Sequence, residues 1–284
     1  MAGKSIKYTK NLKYLGVIFD SKLTWIHHLN SIQDKINSLQ HKIYRISRAT
    51  WGLNPRVKKE IHNKVTEKII SYGHEIWYQD KTKQNIKILK LQRSGLLNIT
   101  KCYKTVSTDA LQVLAGIPPL DLKLKFSSIL FRLKIGNQPA TIQNFLIQPQ
   151  SFNYKKPIIP PWTKTAFSWN YDINFIKKEI VAAWQDRWSN SSKGREVFTL
   201  FPEVKISRIQ GDFLINQLIT GHGCLGVYQE RFFGVSGTCP CGHPSEDRIH
   251  LIFDCPQWNN YREKSFPRNH LEVKIELLLV VLPC

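Results

Sequence analysis

The stretch CPCGHPSEDRIHLIFDCP, Cys239 to Pro256, brings three cysteines and two histidines together within eighteen positions. Thiolates and imidazoles are soft ligands, so the chemistry to consider first is metal ligation. Cys239 and Cys241 flank Pro240, whose fixed φ keeps the backbone extended and lets both thiols face the same way. Gly242 then allows the chain to reverse. His250 lies in EDRIHLIFD, a helical pattern, and Cys255 follows five residues later. On a continuous α-helix that separation would carry the thiol off the histidine's face. Cys255 precedes Pro256, however, and a pre-proline residue is pushed out of the α region, so the helix ends there and the thiol curls back. The order C-x-C-x8-H-x4-C predicts a closed tetrahedral site of Cys239, Cys241, His250 and Cys255 around a structural zinc ion. His243 is the rival imidazole, set too close to Cys241 to leave a loop. Reduced thiols in an ordinary core, and a disulfide, are the other ways to use these residues.

Other reactive side chains have poorer surroundings. His222 sits between glycines in TGHG with no cysteine, serine or carboxylate in triad order, so a simple turn competes with a hydrolytic site. Trp184 and Trp188 stand i and i+4 on one helix and read as packing. No two aspartates are adjacent anywhere in the chain.

The elements that must hold these residues carry a strong charge signal. The formal net charge is +20. Residues 1–105 hold 21 basic and 6 acidic side chains, so +15 of it lies there. Such a density favours a polyanionic partner, because each cation near a phosphate releases condensed counterions. The opening MAGKSIKYTKNLKY lacks the apolar core of a signal peptide, and no apolar run reaches the roughly 18 residues of a membrane span. The expectation is an intracellular protein, nuclear or cytoplasmic and not secreted, with no membrane partner and reduced cysteines.

Residues 4–19 read as two short strands around TKN, the second being the apolar run YLGVIF. From Trp25 the apolar residues Ile26, Leu29, Ile32, Ile36, Leu39, Ile43 and Ile46 recur at helical spacing, with Lys35, Lys42 and Arg45 off the stripe. Asn54 and Pro55 look like the cap and first position of a second helix with Val57, Ile61, Val65 and Ile69 on its apolar face. A third helix is expected from Thr82 to about Asn98. A short one is capped by Ser107 or Thr108 and stopped by Gly116, and another follows Pro119. Residues 136–170 carry five prolines and no sustained period, which predicts a connector. Helical spacing resumes at Asp172; GREVFTLFPEV then looks extended, and a helix near Ile206–Ile219 ends at TGHG. The fold class is mainly α: a basic helical bundle preceded by a short β-hairpin, then a second α-rich module carrying the small zinc knuckle at 239–255. On the bundle, Lys35, Lys42, Arg45, Arg48, Lys58 and Lys59 are the expected phosphate contacts.

Three groups of segments carry a family likeness. KYLGVIFDSKLTWIHHL, WGLNPRVKKEIHNKV with SYGHEIWY, and LQRSGLLNITKCYKTVSTDALQVLAGIPPLDL resemble the end of the reverse transcriptase domain of non-LTR retrotransposons, close to arthropod type-1 and jockey-like elements. WQDRWSNSSKGR, FLINQLITGHGCLGVYQERF and CPCGHPSEDRIHLIFDCPQW resemble the same family's C-terminal region with its CCHC knuckle. The likeness covers nearly the whole chain in the family's order. It implies a primer-grip turn at Tyr14, Leu15 and Gly16 within a palm-end segment 1–24. It also implies a thumb at 25–135, a connector at 136–170, and a C-terminal module at 171–284 whose knuckle ligands are the four residues named above. The implied partners are RNA and DNA, as template–primer duplex and as single strands; the oligomeric state stays open. In the full-length family polymerase, Mg2+ is held by aspartates that this chain does not match, so the resemblance implies a fragment of a polymerase–endonuclease polyprotein. A nucleic-acid-binding protein with no role in retrotransposition, domesticated or degenerate, fits the same residues. Without an aspartate pair no two-metal site forms. The chain alone is therefore expected to incorporate no nucleotide above a no-enzyme control in primer extension on an RNA template with magnesium.

Overall fold

A computed structural model of the chain describes residues 9–47, 51–135, 139–142, 145–147 and 170–265. The described chain is mainly helical, with two small antiparallel hairpins. Strands β1 (Asn11–Tyr14) and β2 (Val17–Asp20) pair with Tyr14 opposite Val17. The turn falls inside YLGVIF, so that run is not one strand: Leu15 (φ 44°) and Gly16 (φ 85°) both take positive φ, as a two-residue hairpin turn demands. Tyr14 and Leu15 are consequently exposed at its tip. The strand expected around Ile6 and Tyr8 lies outside the described residues.

Asp20 anchors the way out of this hairpin. Its carboxylate accepts from the N–H groups of Lys22, Thr24 and Trp25 at 3.1, 3.0 and 2.8 Å and from the Thr24 hydroxyl at 3.1 Å. Leu23 and Trp25 are held at positive φ, 49° and 63°. For residues with a Cβ that region costs about 1–3 kcal/mol each, which the four hydrogen bonds offset. Trp25 is thereby buried at the start of α1 (Ile26–Arg45).

Beyond α1, helix α2 (Pro55–Ile61) runs through a π-turn at His62–Thr66 into α3 (Glu67–Ser71). Asn54 Oδ1 accepts from the Arg56 N–H at 2.8 Å, the expected cap. The expected apolar face is only partly the buried one. Ile61 and Ile69 are half-buried, Ile69 against the core, but Val57 and Val65 are exposed, whereas Lys58, Lys59, His62, Thr66 and Ile70 are buried. In α2 the two lysines turn inward onto backbone carbonyls, and beyond it the π-turn breaks the 3.6-residue period of the stripe.

The remaining helices are α4 (His74–Trp77), α5 (Thr82–Thr100), α6 (Thr108–Ala115) and α7 (Leu120–Lys134). Ser107 caps α6 by accepting from the Ala110 N–H at 3.3 Å, and Gly116 closes it in the left-handed region, both as expected. Within the expected connector, β3 (Ala140–Ile142) pairs with β4 (Phe145–Ile147); apart from Pro139, the other residues of 136–169 lie outside the described ones. Then follow α8 (Asn170–Asn190), α9 (Arg195–Leu200), α10 (Phe213–Thr220), α11 (Gly226–Phe233) and α12 (Asn259–Ser265). Two corrections arise here. GREVFTLFPEV is helical in its first half, opened by Gly194 in the left-handed region. The helix expected from Ile206 starts only at Phe213, where Asp212 accepts from the Ile215 N–H at 2.8 Å.

Two compact units divide the chain, each drawn from three stretches. The first comprises Met1–Lys42, Ile61–Ser94 and Pro119–Ala183; the second comprises Ile43–Glu60, Gly95–Pro118 and Trp184–Cys284. In the first, Trp77 is fully buried among Leu29, Ile32, Ile36, Ile88 and Leu124, and its indole N–H donates to Tyr72 O at 2.9 Å. In the second, α6 is buried from Ala110 to Ala115. Trp184 and Trp188 are both 1% exposed, and Trp188 Nε1 donates to Phe201 O at 2.9 Å, so packing is their role. Among the described residues no helix is long and apolar enough to cross a membrane.

Hydrogen bonding, foremost from the Thr24 N–H and against the opposing effect of burial, holds the Asp20 carboxyl below its ordinary value. A depressed carboxyl stabilises the fold above the unfolded value of about 3.9 and loses that contribution as pH falls through the folded value. Asp20→Asn should therefore lower the urea midpoint at neutral pH. The gap from wild type should close as pH is brought down below about 4. A gap that stays constant from pH 7 to 3 would show that the charge of Asp20 is not what holds the loop.

Candidate metal centre and basic face

Cys239, Cys241, His250 and Cys255 converge in the second unit, with their ligand atoms all within 4.8 Å of one another. Cys239 Sγ and Cys255 Sγ are 3.7 Å apart, and Cys241 Sγ is 3.2 Å from His250 Nε2. A tetrahedral ion with metal–sulfur bonds of about 2.3 Å holds its sulfurs about 3.8 Å apart, so the donors are already at ligating separation. Cys239, His250 and Cys255 are buried and Cys241 is half-buried. Four donors and this burial make a closed site that can hold a metal ion, with no position left for substrate.

Local structure explains the convergence. Gly242 (φ 94°) donates its N–H to Cys239 O at 2.9 Å, closing a tight turn that aims both thiols inward. The segment His250–Asp254 is a π-turn, and the Cys255 N–H donates to His250 O at 2.7 Å, an i to i+5 bond. In that wider turn a residue five positions on returns toward the histidine's side. Cys255 itself is extended (φ −65°, ψ 121°), as its following proline requires. The thiol thus returns partly by the wider turn and partly by the pre-proline break.

Electrostatics point the same way. Cys241 is held below the ordinary thiol value, foremost by the His243 N–H and against burial, with the Cys239 and Cys255 thiols adding to the lowering. Cys239 is pushed up to about 11, because burial and the neighbouring sulfurs outweigh the Cys241 N–H that bonds it. Three thiolates this close repel, and a cation among them is what allows all three to ionise.

Several supporting residues lie outside the ligand pattern. Asp247 Oδ1 accepts from the His250 N–H at 2.9 Å and fixes the start of the π-turn; the spacing Asp-x-x-His is a capping pattern. His243 stacks on His250 with centroids 4.0 Å apart and planes at 10°, and its carbonyl accepts from the Cys239 N–H at 2.9 Å. The rival imidazole therefore braces the site from outside it. Arg262 donates to Leu251 O and Ile252 O at 3.3 and 3.4 Å and to Cys255 O, capping the carbonyls that the turn leaves open. Its charge also opposes the single net negative charge that a divalent ion with three thiolates would carry.

The expected phosphate contacts separate into two groups. Lys35, Lys42 and Arg45 are exposed along α1. Lys58 and Lys59 are not available in the same way. Both are buried; Lys58 Nζ donates to Asn98 O at 2.5 Å, and Lys59 Nζ donates to Ile206 O and Arg208 O at 2.6 and 3.0 Å. Burial, with Lys101 nearby, pulls the Lys58 ammonium down to about 8. Arg48 lies outside the described residues. At the hairpin tip, the Tyr72 hydroxyl donates to Leu15 O at 3.0 Å, leaving the Tyr14 and Leu15 side chains exposed. Sequence reasoning passed over Lys83, Lys87 and Lys90 on α5, a helix without a single carboxylate. Their i, i+4, i+7 spacing puts them on one face, and Lys87 Nζ donates to Asn30 Oδ1, bringing that face beside α1 within the first unit.

Three relatives locate the chain among known proteins. It is 27% identical over 270 residues to a 115 kDa protein ascribed to the type-1 retrotransposable element R1DM of Drosophila melanogaster. It is 27% identical over 276 residues to the retrovirus-related Pol polyprotein from type-1 retrotransposable element R1 4 of Nasonia vitripennis. It is 26% identical over 273 residues to the corresponding R1 polyprotein of Bradysia coprophila. These alignments take in 92%, 93% and 92% of this chain and 25%, 65% and 25% of the relatives, so it spans less than two thirds of each. No protein-family model and no solved structure matches it.

Metal analysis of the purified chain is expected to return about one tightly bound ion per chain. Replacing Cys239 and Cys255 together by serine should abolish it, while Cys102→Ser with Cys224→Ser should leave it in place. Full stoichiometry in the first double variant would show that the ion is held elsewhere.

Proposed function

We propose that this chain, whose homologues are Pol polyproteins of arthropod type-1 non-LTR retrotransposable elements, is a nucleic-acid-binding part of a reverse transcriptase-type protein. It grips the phosphates of template–primer duplex through α1 and α5, with the hairpin tip Tyr14, Leu15 and Gly16 meeting the primer end. The ion at Cys239, Cys241, His250 and Cys255 is zinc, the metal that three thiolates and one imidazole in a closed tetrahedron favour. It acts as a structural pin for the second unit, which contacts single-stranded nucleic acid. The protein works inside the cell, where its thiols stay reduced.

The observation that carries this reading is the basic face of the first unit. Lys83, Lys87 and Lys90 lie on a helix free of carboxylates, beside the α1 helix whose Lys35 and Lys42 are exposed. Cations set along helices bind phosphates without reading bases, which is what holding a duplex of any sequence requires.

The test is fluorescence anisotropy of the whole chain on a duplex probe across a salt series. Log affinity should fall against log salt with a slope of about −3 or steeper, and Lys35→Gln, Lys42→Gln and Arg45→Gln together should flatten it by about 2 to 3. Lys59→Met should instead lower stability by about 1–3 kcal/mol, by stranding two carbonyls, and leave the slope alone. An unchanged slope in the triple variant would mean that those cations are solvated and face no phosphate.

A further inference from the structure

His222, in the TGHG turn, belongs to an aromatic nest that neither the metal centre nor the basic face uses. At its centre is Tyr228 of α11, 5% exposed. Thr105 Oγ1 lies 3.0 Å from the Tyr228 hydroxyl and 2.7 Å from His222 Nδ1, tying the two rings to the loop after α5. Four further rings surround Tyr228: Phe232 at 4.6 Å between centroids, His222 at 5.2 Å, Tyr103 at 6.0 Å and Phe233 at 6.1 Å.

The centre is packed but the rim is open. Tyr103 is 36%, Phe232 43% and Phe233 66% exposed. A phenylalanine left in water forgoes much of the roughly 2–3 kcal/mol that burial would supply, so the exposed faces of Phe232 and Phe233 add little to the fold. The rim also carries a cation: the Arg231 guanidinium lies 5.5 Å from the Phe232 ring centre. Open π-faces beside a cation suit a ligand that joins flat rings to anions. A second copy of this chain fits poorly, because at +20 it would set cation against cation.

We propose that the rim formed by Tyr103, Phe232 and Phe233 binds unpaired nucleotides, with bases stacked on the rings and phosphates against Arg231. This rests on the nucleic-acid reading above and adds to it a site selective for bases that have left the duplex. Stacking tolerates any base and depends little on salt, whereas contacts to phosphate are salt-sensitive. The two sites are therefore separable by experiment.

The whole chain is titrated with fluorescein-labelled oligothymidylate, oligouridylate, an abasic strand of equal length and a duplex, and with a strand carrying 2-aminopurine. Wild type should quench 2-aminopurine and bind base-bearing strands more tightly than the abasic one. Phe232→Ala with Phe233→Ala should lose the quenching and weaken single-strand binding roughly tenfold or more, at unchanged salt slope and unchanged duplex affinity. Phe232→Tyr with Phe233→Tyr should retain both. Arg231→Gln should flatten the single-strand salt slope by about 1. Tighter binding of oligouridylate than oligothymidylate would support the site with RNA as its source, and the reverse order would support it with DNA. Wild-type affinity of the alanine variant for both oligonucleotides overturns the inference, as does equal binding of abasic and base-bearing strands. A shift in sedimentation caused by the alanine pair overturns it too, by making the patch a contact between copies. If wild type binds neither duplex nor single strand, the nucleic-acid reading itself fails and this site falls with it.

Discussion

Short helices leave backbone groups without partners, and this chain answers that constraint with buried polar side chains. A helix of four to eight residues has about as many unbonded N–H and C=O groups at its ends as it has bonded ones, and burying them unpaired costs more than packing returns. Gln84 bridges the break between α4 and α5 from both sides, donating to Trp77 O at 2.9 Å and accepting from the Gln79 N–H at 2.8 Å. Gln92 accepts from the first N–H of α7 at 3.2 Å. In the second unit Asn216 donates to Thr100 O and Gln210 O at 2.6 and 3.1 Å, and Gln217 accepts from the Cys224 N–H at 2.9 Å. Lys59 holds two carbonyls of the irregular stretch after α9 in the same manner. These side chains make the many breaks in the fold tolerable, and through Asn216 and Gln217 the loops that carry Tyr103 and His222 stay placed.

The cysteine–histidine cluster meets the same constraint by other means. The segment from Thr238 to Cys255 contains only the π-turn as regular structure, so it has little ladder hydrogen bonding of its own. Its backbone is instead fixed by a few specific contacts: Gly242 on Cys239, Asp247 on His250 and Arg262 on the carbonyls around Cys255. An ion joining four points of such a segment would replace the core that it lacks. His250 lies eleven positions after Cys239 and five before Cys255, so the loops that an ion would close are short and their closure entropy small.

Much of the fold was legible because punctuation is local chemistry. Ser107 and Gly116, Asn54 and Pro55, and Pro119 mark helix ends through side-chain hydrogen bonds and restricted φ, and each does so here. The convergence of Cys239, Cys241, His250 and Cys255 was legible from donor type and spacing. What failed to show depends on period or on distant partners. Val65 was misplaced because the π-turn around it changes the period, and α9 was missed because six residues are too few to display one. Lys58 and Lys59 look like phosphate contacts in sequence, since composition does not distinguish a lysine that reaches solvent from one that ends on a carbonyl. Arg262 was invisible for the same reason: its partners are backbone carbonyls, which every residue has.

The interleaving of the two units bears on how the chain is made. Neither unit is a continuous stretch, and the second needs Ile43–Glu60 and Gly95–Pro118 to wait for Trp184–Cys284. During synthesis, then, α6 with its six consecutive buried residues leaves the ribosome well before the segment that covers it. Contacts so far apart in sequence form slowly, and an apolar helix uncovered in the meantime is a target for aggregation. A nascent chain of this design would be expected to lean on chaperones, and its yield in a cell would be set as much by the rate of translation as by the stability of the finished fold.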